Sequence, residues 1–377
     1  MRVIRLILML LAASLLLCGC ENAGEAENHA YALVLGVDRT EEGIELTIQI
    51  PRIGRTQDQS ERGSAGSEPY MTLSASGSDY AQAMEQLQWT AARELNLSQL
   101  KLIVVSESLA SDDAFPPLIR AIAETRHLYT TAGFIVCEGT ARPFVEGLET
   151  ILGTRLSSEI NAMFRHYAAH GVIPKSTFAD LYDSTLSPYS DPTGILGFTS
   201  GGTRGPEELQ PKSVVVPRAI SSEGGADRRY LGTAVFREGR LVCRLDAADT
   251  LLMNLISGRV DAFTCAVEGR MYSLSSASRA RQSVKIDGGR VRMEVKLRLT
   301  SEAHIPPEDL DALRSALAED LRRVIAQCQG LRVEPFGFAS HAAMRFPTLE
   351  AWEAFDWRSR FSTAEVRVDI SLSNPVA

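Results

Sequence analysis

Residues 282–300, QSVKIDGGRVRMEVKLRLT, decide the fold class of this chain. Apolar and polar residues alternate from Val291 to Leu299, which is the pattern of a strand with one buried face. Asp287-Gly288-Gly289 separates this strand from a shorter one, Gln282 to Ile286, and a glycine-rich connection of that length is typical of a β-hairpin. The stretch therefore predicts antiparallel sheet in the second half of the chain.

A long helix is predicted after this hairpin. Pro306-Pro307-Glu308 suits a helix start, and Gly330 marks the expected end after Gln329. Its apolar residues recur three or four positions apart and form one stripe: Leu310, Leu313, Leu317, Leu321, Val324 and Cys328. We expect this stripe to pack on the strand from Val291 to Leu299, because neither element is stable alone.

The first half of the chain repeats this mixture of hairpins and helices. The runs from Tyr31 to Val37 and from Ile44 to Ile50 are predicted to pair as a hairpin, and a helix capped by Ser78 follows the strand from Met71 to Ala75. Hairpins interspersed with helices favour an α+β fold over a doubly wound parallel sheet. We predict mixed, hairpin-rich sheets with flanking helices, arranged as two to three domains.

The N-terminus has the pattern of an exported protein. A basic start precedes an apolar run, Leu6 to Leu17, that is short for a transmembrane helix. Leu17-Cys18-Gly19-Cys20 resembles the lipobox of bacterial lipoprotein precursors, and this resemblance implies a diacylglycerol thioether, and often an N-acyl chain, on Cys20. Two or three acyl chains would hold the protein stably at a membrane. An ordinary cleaved signal with incidental cysteines and an uncleaved helical anchor are the alternatives.

A stretch rich in proline and glycine, from Leu186 to Pro211, is the strongest linker signal in the chain. We therefore place the main domain boundary within it. The predicted organisation is a lipoprotein signal peptide over 1–19, a lipidated polar leash over 20–30, an N-terminal α+β domain over 31–200, a middle α+β domain over 201–268 and a C-terminal α+β domain over 269–377.

Composition narrows the function classes. The 377 residues carry a net charge of −8, which argues against a nucleic-acid-binding protein and against adsorption to anionic lipid by charge alone. Four cysteines follow the lipobox, and none forms a Cys-x-x-Cys motif, so a structural zinc site is disfavoured. Disulfides are allowed outside the cytoplasm, but buried thiols are the favoured interpretation, because each cysteine lies in an apolar segment. These residues are Cys137, Cys243, Cys265 and Cys328.

Motifs that carry catalysis are missing from the sequence. It contains no His-Glu-x-x-His, Gly-x-Ser-x-Gly, P-loop or dinucleotide-binding motif. His166 and His170 lie four residues apart on a predicted helix, but no acidic third ligand is near, so a solvated helix face is favoured over a metal site. We predict no catalytic residues, no metal, no cofactor beyond the covalent lipid on Cys20, and no enzymatic activity.

Several motifs nonetheless form a familiar series. After the lipobox they are Leu35-Gly36-Val37-Asp38, Gly77-Ser78, the run from Leu97 to Glu107 and Gly232-Thr233-Ala234-Val235-Phe236. The most specific block is C-terminal: Gln329, Glu334-Pro335-Phe336-Gly337-Phe338, Arg345, Pro347, Trp352, Trp357 and Phe361. Over nearly its whole length the chain resembles the Ger(x)C family, the lipoprotein C subunits of spore germinant receptors. Glu334-Pro335 departs from the acidic-aliphatic pair usual there, and Ala339-Ser340 stands where the family often has a further glycine.

This resemblance implies a three-domain α+β lipoprotein, anchored on the outer face of the spore inner membrane. It would assemble with two integral-membrane subunits of a nutrient germinant receptor and would be required for assembly or signalling. In this family, germinant binding is attributed mainly to those two membrane subunits. We expect Trp352, Trp357 and Phe361 to pack in a core rather than to bind a partner. A solute-binding lipoprotein of a transporter and, less favoured, a lipid-anchored extracytoplasmic enzyme are the alternatives.

Overall fold

The computed structural model describes residues 28–52, 70–150, 155–186, 191–199, 213–216 and 228–375. The predicted signal peptide and Cys20 lie outside these ranges. Within the described ranges, no helix is both long and apolar enough to cross a membrane.

The described residues form fifteen strands. They are β1 (His29–Tyr31), β2 (Val34–Thr40), β3 (Gly43–Pro51), β4 (Tyr70–Gly77), β5 (Glu94–Asn96), β6 (Leu102–Ser106), β7 (Gly133–Cys137), β8 (Thr193–Thr199), β9 (Val215–Val216), β10 (Arg228–Arg237), β11 (Arg240–Leu245), β12 (Ala262–Val267), β13 (Arg270–Asp287), β14 (Arg290–Ser301) and β15 (Glu365–Ser373).

Eleven helices accompany these strands in the described part of the chain. They are α1 (Tyr80–Thr90), α2 (Glu107–Ala110), α3 (Phe115–Ala123), α4 (Ala141–Glu146), α5 (Leu156–Ala169), α6 (Phe178–Leu186), α7 (Ala247–Ile256), α8 (Pro307–Leu331), α9 (Phe338–Ala343), α10 (Leu349–Phe355) and α11 (Trp357–Phe361).

Eight strands form the first sheet, in the order β11-β10-β8-β7-β6-β2-β3-β4. Its four central strands, β2, β6, β7 and β8, run parallel with aligned starts, so that Val34 and Gly133 both lie beside Leu102. Antiparallel strands flank them on both sides, including the predicted β2–β3 hairpin. The α+β prediction is confirmed, and the parallel centre is a feature that the hairpin pattern did not indicate.

Helices cover both faces of the first sheet. On one face α1, α3 and α6 pack around the rings of Phe115, Phe134 and Phe178. On the other face α4 and α5 contribute Phe144 and Ile160 to a smaller core. This layering buries the continuous apolar runs of the parallel strands on both sides, as such strands require.

The second sheet has the order β15-β14-β13-β12-β9. The predicted hairpin is confirmed as β13–β14, in which Asp287 pairs with Arg290. Alternate residues of β14, such as Met293, Val295 and Leu297, are buried in a core shared with α7, α8 and the C-terminal helices. The last strand, β15, pairs with β14 in parallel, which requires the long crossover through α8 to α11.

Helix α8 buries its stripe, but its neighbours differ from those expected. Leu313, Leu317, Leu321, Val324 and Cys328 are fully buried, and Leu310 is half-buried. The helix packs most closely on β15, β12 and α7, while β14 shares the same core from further away, so the expected direct packing on β14 is corrected. Strand β15 pairs with β14 at the edge of the sheet, and α8 therefore packs on β15 rather than directly on β14. The helix also continues past Gly330, and Arg332 ends it in a left-handed conformation.

The predicted linker contains strand β8, so that part of the prediction was wrong. A Cβ atom on Gly194 would lie 3.1 Å from the Phe134 ring, and one on Gly197 would lie 2.9 Å from the side chains of Ile135 and Phe144. These glycines permit close packing inside the sheet rather than chain flexibility.

The predicted middle region, 201–268, is shared by both sheets. Strands β10 and β11 extend the first sheet, whereas β9 and β12 belong to the second. The β10–β11 hairpin also joins the two cores, because Ala234 and Phe236 face the first core while Val235 and Leu245 face the second. The division into three domains stays a prediction.

Two local boundaries of the first half differ from the sequence-based expectation. The run from Tyr31 to Val37 is split between β1 and β2, because Ala32 donates its N–H to the Asn96 carbonyl and Leu33 donates to that of Gln49. The cap of α1 is Asp79 rather than Ser78, since the extended backbone of Asp79 lets its carboxylate accept the N–H of Gln82.

Candidate functional site at the junction of the two halves

The loop between α8 and α9 is organised by one buried carboxylate. Oε1 of Glu334 accepts the backbone N–H groups of Phe336 at 2.9 Å, Gly337 at 2.8 Å and Phe338 at 3.1 Å, and Oε2 accepts that of Ala339 at 2.9 Å. Gly337 has a φ of 95°, a conformation that favours glycine. The Glu334-Pro335-Phe336-Gly337-Phe338 motif thus folds around its own first side chain.

Burial controls the protonation of this carboxyl group. The Glu334 side chain is only 4% exposed. Its burial raises the pKa to about 7, although the N–H groups of Ala339, Phe338 and Gly337 oppose this rise by stabilising the charged form. Glu334 therefore titrates in the neutral range, where an ordinary glutamate is fully ionised.

Asp191 connects this loop to the first half of the chain. Its Oδ2 atom accepts the Glu334 N–H at 2.7 Å, and its own N–H donates to the Glu334 carbonyl at 3.4 Å. Arg358 of α11 donates to Asp191 Oδ1 at 2.9 Å and to Glu238 of the β10–β11 turn at 2.8 Å. Burial raises the pKa of Asp191, while the nearby Arg358 lowers it. One polar network, Asp191–Glu334–Arg358, thus fastens both halves together.

Aromatic side chains of the C-terminal block pack beneath this network. The rings of Trp352 and Trp357 stack with centroids 5.8 Å apart, and Phe361 lies 6.2 Å from Trp357. The three side chains are 3%, 7% and 0% exposed, which confirms the prediction that they pack in a core. Gln329 supports them, since its Nε2 donates to the carbonyls of Phe361 and Ala364.

An open cleft of about 900 Å³ lies over the junction. Pro116 and Arg120 of α3 line one side, while Trp357 and Arg358 of α11 line the other. Its hydroxyl groups are engaged in their own helix: Ser184 donates to the Leu181 carbonyl and Thr185 to that of Tyr182. No histidine is among the described residues that line it, whereas several carboxylates are, including Asp191 and Glu238. The cleft offers charges of both signs and an aromatic wall, which are features that suit ligand binding.

The residues singled out from sequence are scattered in the structure. Cys20 lies outside the described residues, so its lipidation stays a prediction. The four body cysteines are buried thiols, as favoured. Burial raises the pKa of the Cys243, Cys265 and Cys328 thiols, which keeps them protonated and unreactive.

The paired histidines remain together at the end of α5, where His166 lies in the last turn and His170 is the C-cap. The His166 and His170 rings lie with centroids 4.6 Å apart in an edge-to-face arrangement. Within the described ranges, no group of three or more His, Cys, Asp or Glu residues is arranged to hold a metal ion.

Sequence analysis missed Asp191 as the partner of Glu334, and Arg358 as the partner of Asp191. Asp191 lies at the start of the stretch taken for a linker, and 143 residues separate it from Glu334. No local periodicity could pair residues so far apart. A single aspartate before Pro192 and β8 carries no signal of its own.

Comparisons with known proteins match both halves of the chain. The family described as "Spore germination protein N-terminal domain" matches residues 22–194, and "Spore germination B3/ GerAC like, C-terminal" matches residues 231–373. The candidate spore germination protein YfkR of Bacillus subtilis is 22% identical over 94% of this chain and 91% of its own length. Spore germination protein KC of the same organism is 24% identical over 92% of this chain and 88% of its own length. A crystal structure of the GerBC protein superposes with a TM-score of 0.49 at 13% identity, covering 91% of this chain and 97% of that chain.

Proposed function

Because the chain belongs to the GerAC-like family of spore germination proteins, we propose that it is the lipid-anchored C subunit of a nutrient germinant receptor. The observation that carries the proposal is the family match over both halves, residues 22–194 and 231–373. In this role the chain lies on the outer face of the spore inner membrane. It assembles with two integral-membrane subunits and is needed for receptor assembly or signalling.

The anchor of this proposal is Cys20. The lipobox-like sequence Leu17-Cys18-Gly19-Cys20 supports it, as does the polar leash that follows. Each buried methylene of an acyl chain contributes about 0.8 kcal/mol, so a two- or three-chain anchor holds where one chain would exchange. A protein with a net charge of −8 is not attracted electrostatically to an anionic leaflet, so the acyl chains would provide the attachment that its charge does not.

The Asp191–Glu334–Arg358 network supports a subunit of fixed shape. Separating the two halves would take the partly exposed Arg358 and the Glu334 N–H away from Asp191, and a buried carboxylate left without such partners costs about 1–3 kcal/mol. The β10–β11 hairpin adds apolar contacts to both cores. A displacement imposed on one half is therefore passed to the other, as a signalling or assembly subunit requires. We also propose that the chain is not an enzyme, and the lack of the common catalytic motifs in its sequence supports this.

Deletion of the chain tests the proposal. The host strain should carry this receptor alone, because a paralogous receptor could otherwise mask the defect. We expect spores to form normally, to fail to lose refractility with nutrient, and to germinate with exogenous calcium dipicolinate, which acts downstream of receptors. A complementing copy should restore the nutrient response. Normal nutrient germination of the deletion spores would refute the proposal.

A solute-binding lipoprotein is the second candidate, and the cleft of about 900 Å³ between the two halves favours it. The neighbouring genes separate the two candidates. A receptor-type, multi-spanning membrane protein encoded beside this chain supports the C-subunit role, whereas a transporter permease supports solute binding.

A further inference from the structure

A second cavity lies at the edge of the first sheet where the parallel strands start. It has a volume of about 560 Å³. Lys101, directly before β6, and Tyr129, in the loop before β7, line one side. Arg165 of α5 lines the other side, together with Asn254 of α7 and Arg259, which follows α7. The cavity is separate from the junction cleft, with which it shares no described lining residue.

The lining of this cationic pocket is unusual for an acidic protein. Its charged residues are Lys101, Arg165, Lys175 and Arg259, and no carboxylate is among the described lining residues. None of the four forms an ion pair within the described ranges, whereas Arg358 at the junction is paired twice. Asp180 is the one acidic group that acts on Arg259, and its carboxylate accepts hydrogen bonds from Thr177. The pocket therefore holds an excess of positive charge.

Local contacts hold the pocket in shape. The Lys101 ammonium lies 5.3 Å from the centroid of the Tyr129 ring, and Arg165 Nε donates to the Asn161 carbonyl at 3.3 Å. Asn254 is 1% exposed, and its Nδ2 donates to the carbonyls of Gly171 at 3.0 Å and Ile173 at 2.9 Å. Its Oδ1 atom is buried with no hydrogen-bond partner among the described residues. A buried acceptor of this kind suits a ligand that brings a hydroxyl donor.

We propose that the cationic pocket binds a phosphate-bearing anion whose hydroxyl group reaches Asn254. A phosphate monoester carries about −1.5 to −2 charges at pH 7 and three strong acceptor oxygens, which matches several unpaired cations better than one carboxylate does. Arginine and lysine recognise phosphate through charge-assisted hydrogen bonds. The cavity volume lies within the range of small-molecule sites, roughly 300–1,000 Å³.

Two sources share this chemistry, a phospholipid headgroup and a free organic phosphate. The position of the pocket makes the headgroup accessible. Lys101 donates its backbone N–H to the Leu33 carbonyl at 2.8 Å, so the pocket lies close to where the described chain begins. From His29 back to Cys20 the chain can extend at most about 30 Å. The headgroup source thus rests on the proposed anchor, whereas the pocket itself does not.

An exposed indole at the same end of the molecule is consistent with a nearby bilayer. Trp89 is 79% exposed at the end of α1. The adjacent Gln88 accepts the backbone N–H of Leu95 at 2.9 Å, and Leu95 belongs to β5, which pairs with β1. Tryptophan is enriched where proteins meet the membrane interface.

Calorimetric titration of the full chain in a phosphate-free maltoside detergent tests the pocket. The probe is glycerol 3-phosphate at low ionic strength, with chloride as the competing anion. We expect one saturable site with a Kd below about 1 mM. Arg165→Gln and Lys175→Gln should each weaken it about tenfold, because both side chains are exposed enough to be replaced without disturbing the core. Arg290→Gln, which alters an exposed arginine of the second sheet, is the matched control and should leave the Kd within about twofold.

Absence of saturable binding up to about 10 mM, or an equal loss in Arg290→Gln, would overturn the proposal. Repeating the titration in bilayer discs distinguishes the sources. If the lipid headgroup occupies the pocket, the apparent affinity for glycerol 3-phosphate should be about tenfold lower in phosphatidylglycerol discs than in phosphate-free glycolipid discs. Equal affinity in the two kinds of disc assigns the site to a free phosphate. The Cys20→Ala chain should bind the probe as tightly in detergent. Failure of the anchor and failure of the pocket therefore give different results.

Discussion

Replacing Glu334 by glutamine should change how stability depends on pH. In the native chain, the folded state raises the pKa of Glu334 to about 7, from an ordinary value of 4.5. The folded state therefore binds the proton more tightly than the unfolded state does. The stabilising contribution is fully present below the unfolded pKa and is lost as the pH rises through the folded pKa.

The magnitude follows from the difference between the two pKa values. Between about pH 5 and about pH 8, this single group should lower the free energy of unfolding by about 2.5 kcal/mol. Glu334→Gln has no such titration. It also loses the acceptor for the Ala339 N–H, at 2.9 Å from Oε2, which costs about 1–3 kcal/mol at every pH. The difference in stability between the native chain and the variant should therefore shrink steadily as the pH rises.

Urea unfolding at about pH 5, 6, 7 and 8 measures this difference. Trp357→Phe is the control, because it alters the aromatic cluster beneath Glu334 without removing a titrating group. Its plot of unfolding free energy against pH should run parallel to that of the native chain. Parallel curves for Glu334→Gln and the native chain, within about 0.5 kcal/mol, would refute the reasoning. So would a difference that grows as the pH rises.

Three further predictions concern packing and the anchor. Gly197→Ala should destabilise the chain by about 1–3 kcal/mol in urea unfolding, because its Cβ would lie 2.9 Å from Ile135 and Phe144. The control Gly330→Ala should stabilise α8 by about 0.5–1 kcal/mol, because a Cβ there would meet no atom within 4 Å. Equal effects of the two substitutions would contradict the account of β8. Leu317→Ala should lower the free energy of unfolding by about 2–5 kcal/mol. The control Leu331→Ala, at a side chain 42% exposed, should lower it by less than about 0.5 kcal/mol. A loss below about 0.5 kcal/mol at Leu317 would mean that the stripe of α8 is exposed. Cys20→Ala should move the protein out of the membrane fraction in cells that lack its partners, and retention there would reject the lipid anchor.

Much of the second half could be predicted from local pattern. The alternation from Val291 to Leu299 and the glycines after Asp287 define the β13–β14 hairpin, because each strand residue faces either the core or solvent with a period of two. The stripe through Leu317 and Leu321 defines α8 for the same reason at a helical period. Such patterns depend only on neighbours along the chain.

The parallel centre of the first sheet and the polar junction could not be predicted in this way. Gly194 and Gly197 fall within the stretch that was predicted to be a linker, yet they lie in β8. Their close contacts, with Phe134 and Phe144, come from distant segments of the chain. Asp191 and Glu334 are 143 residues apart in the sequence, and only the packing of the two halves brings them together. The same packing buries both carboxyl groups, and this burial raises their pKa values. The sequence by itself determined which residues must leave water. The tertiary structure decided which of them meet, since burial can be satisfied by many partners while packing and hydrogen-bond geometry select one.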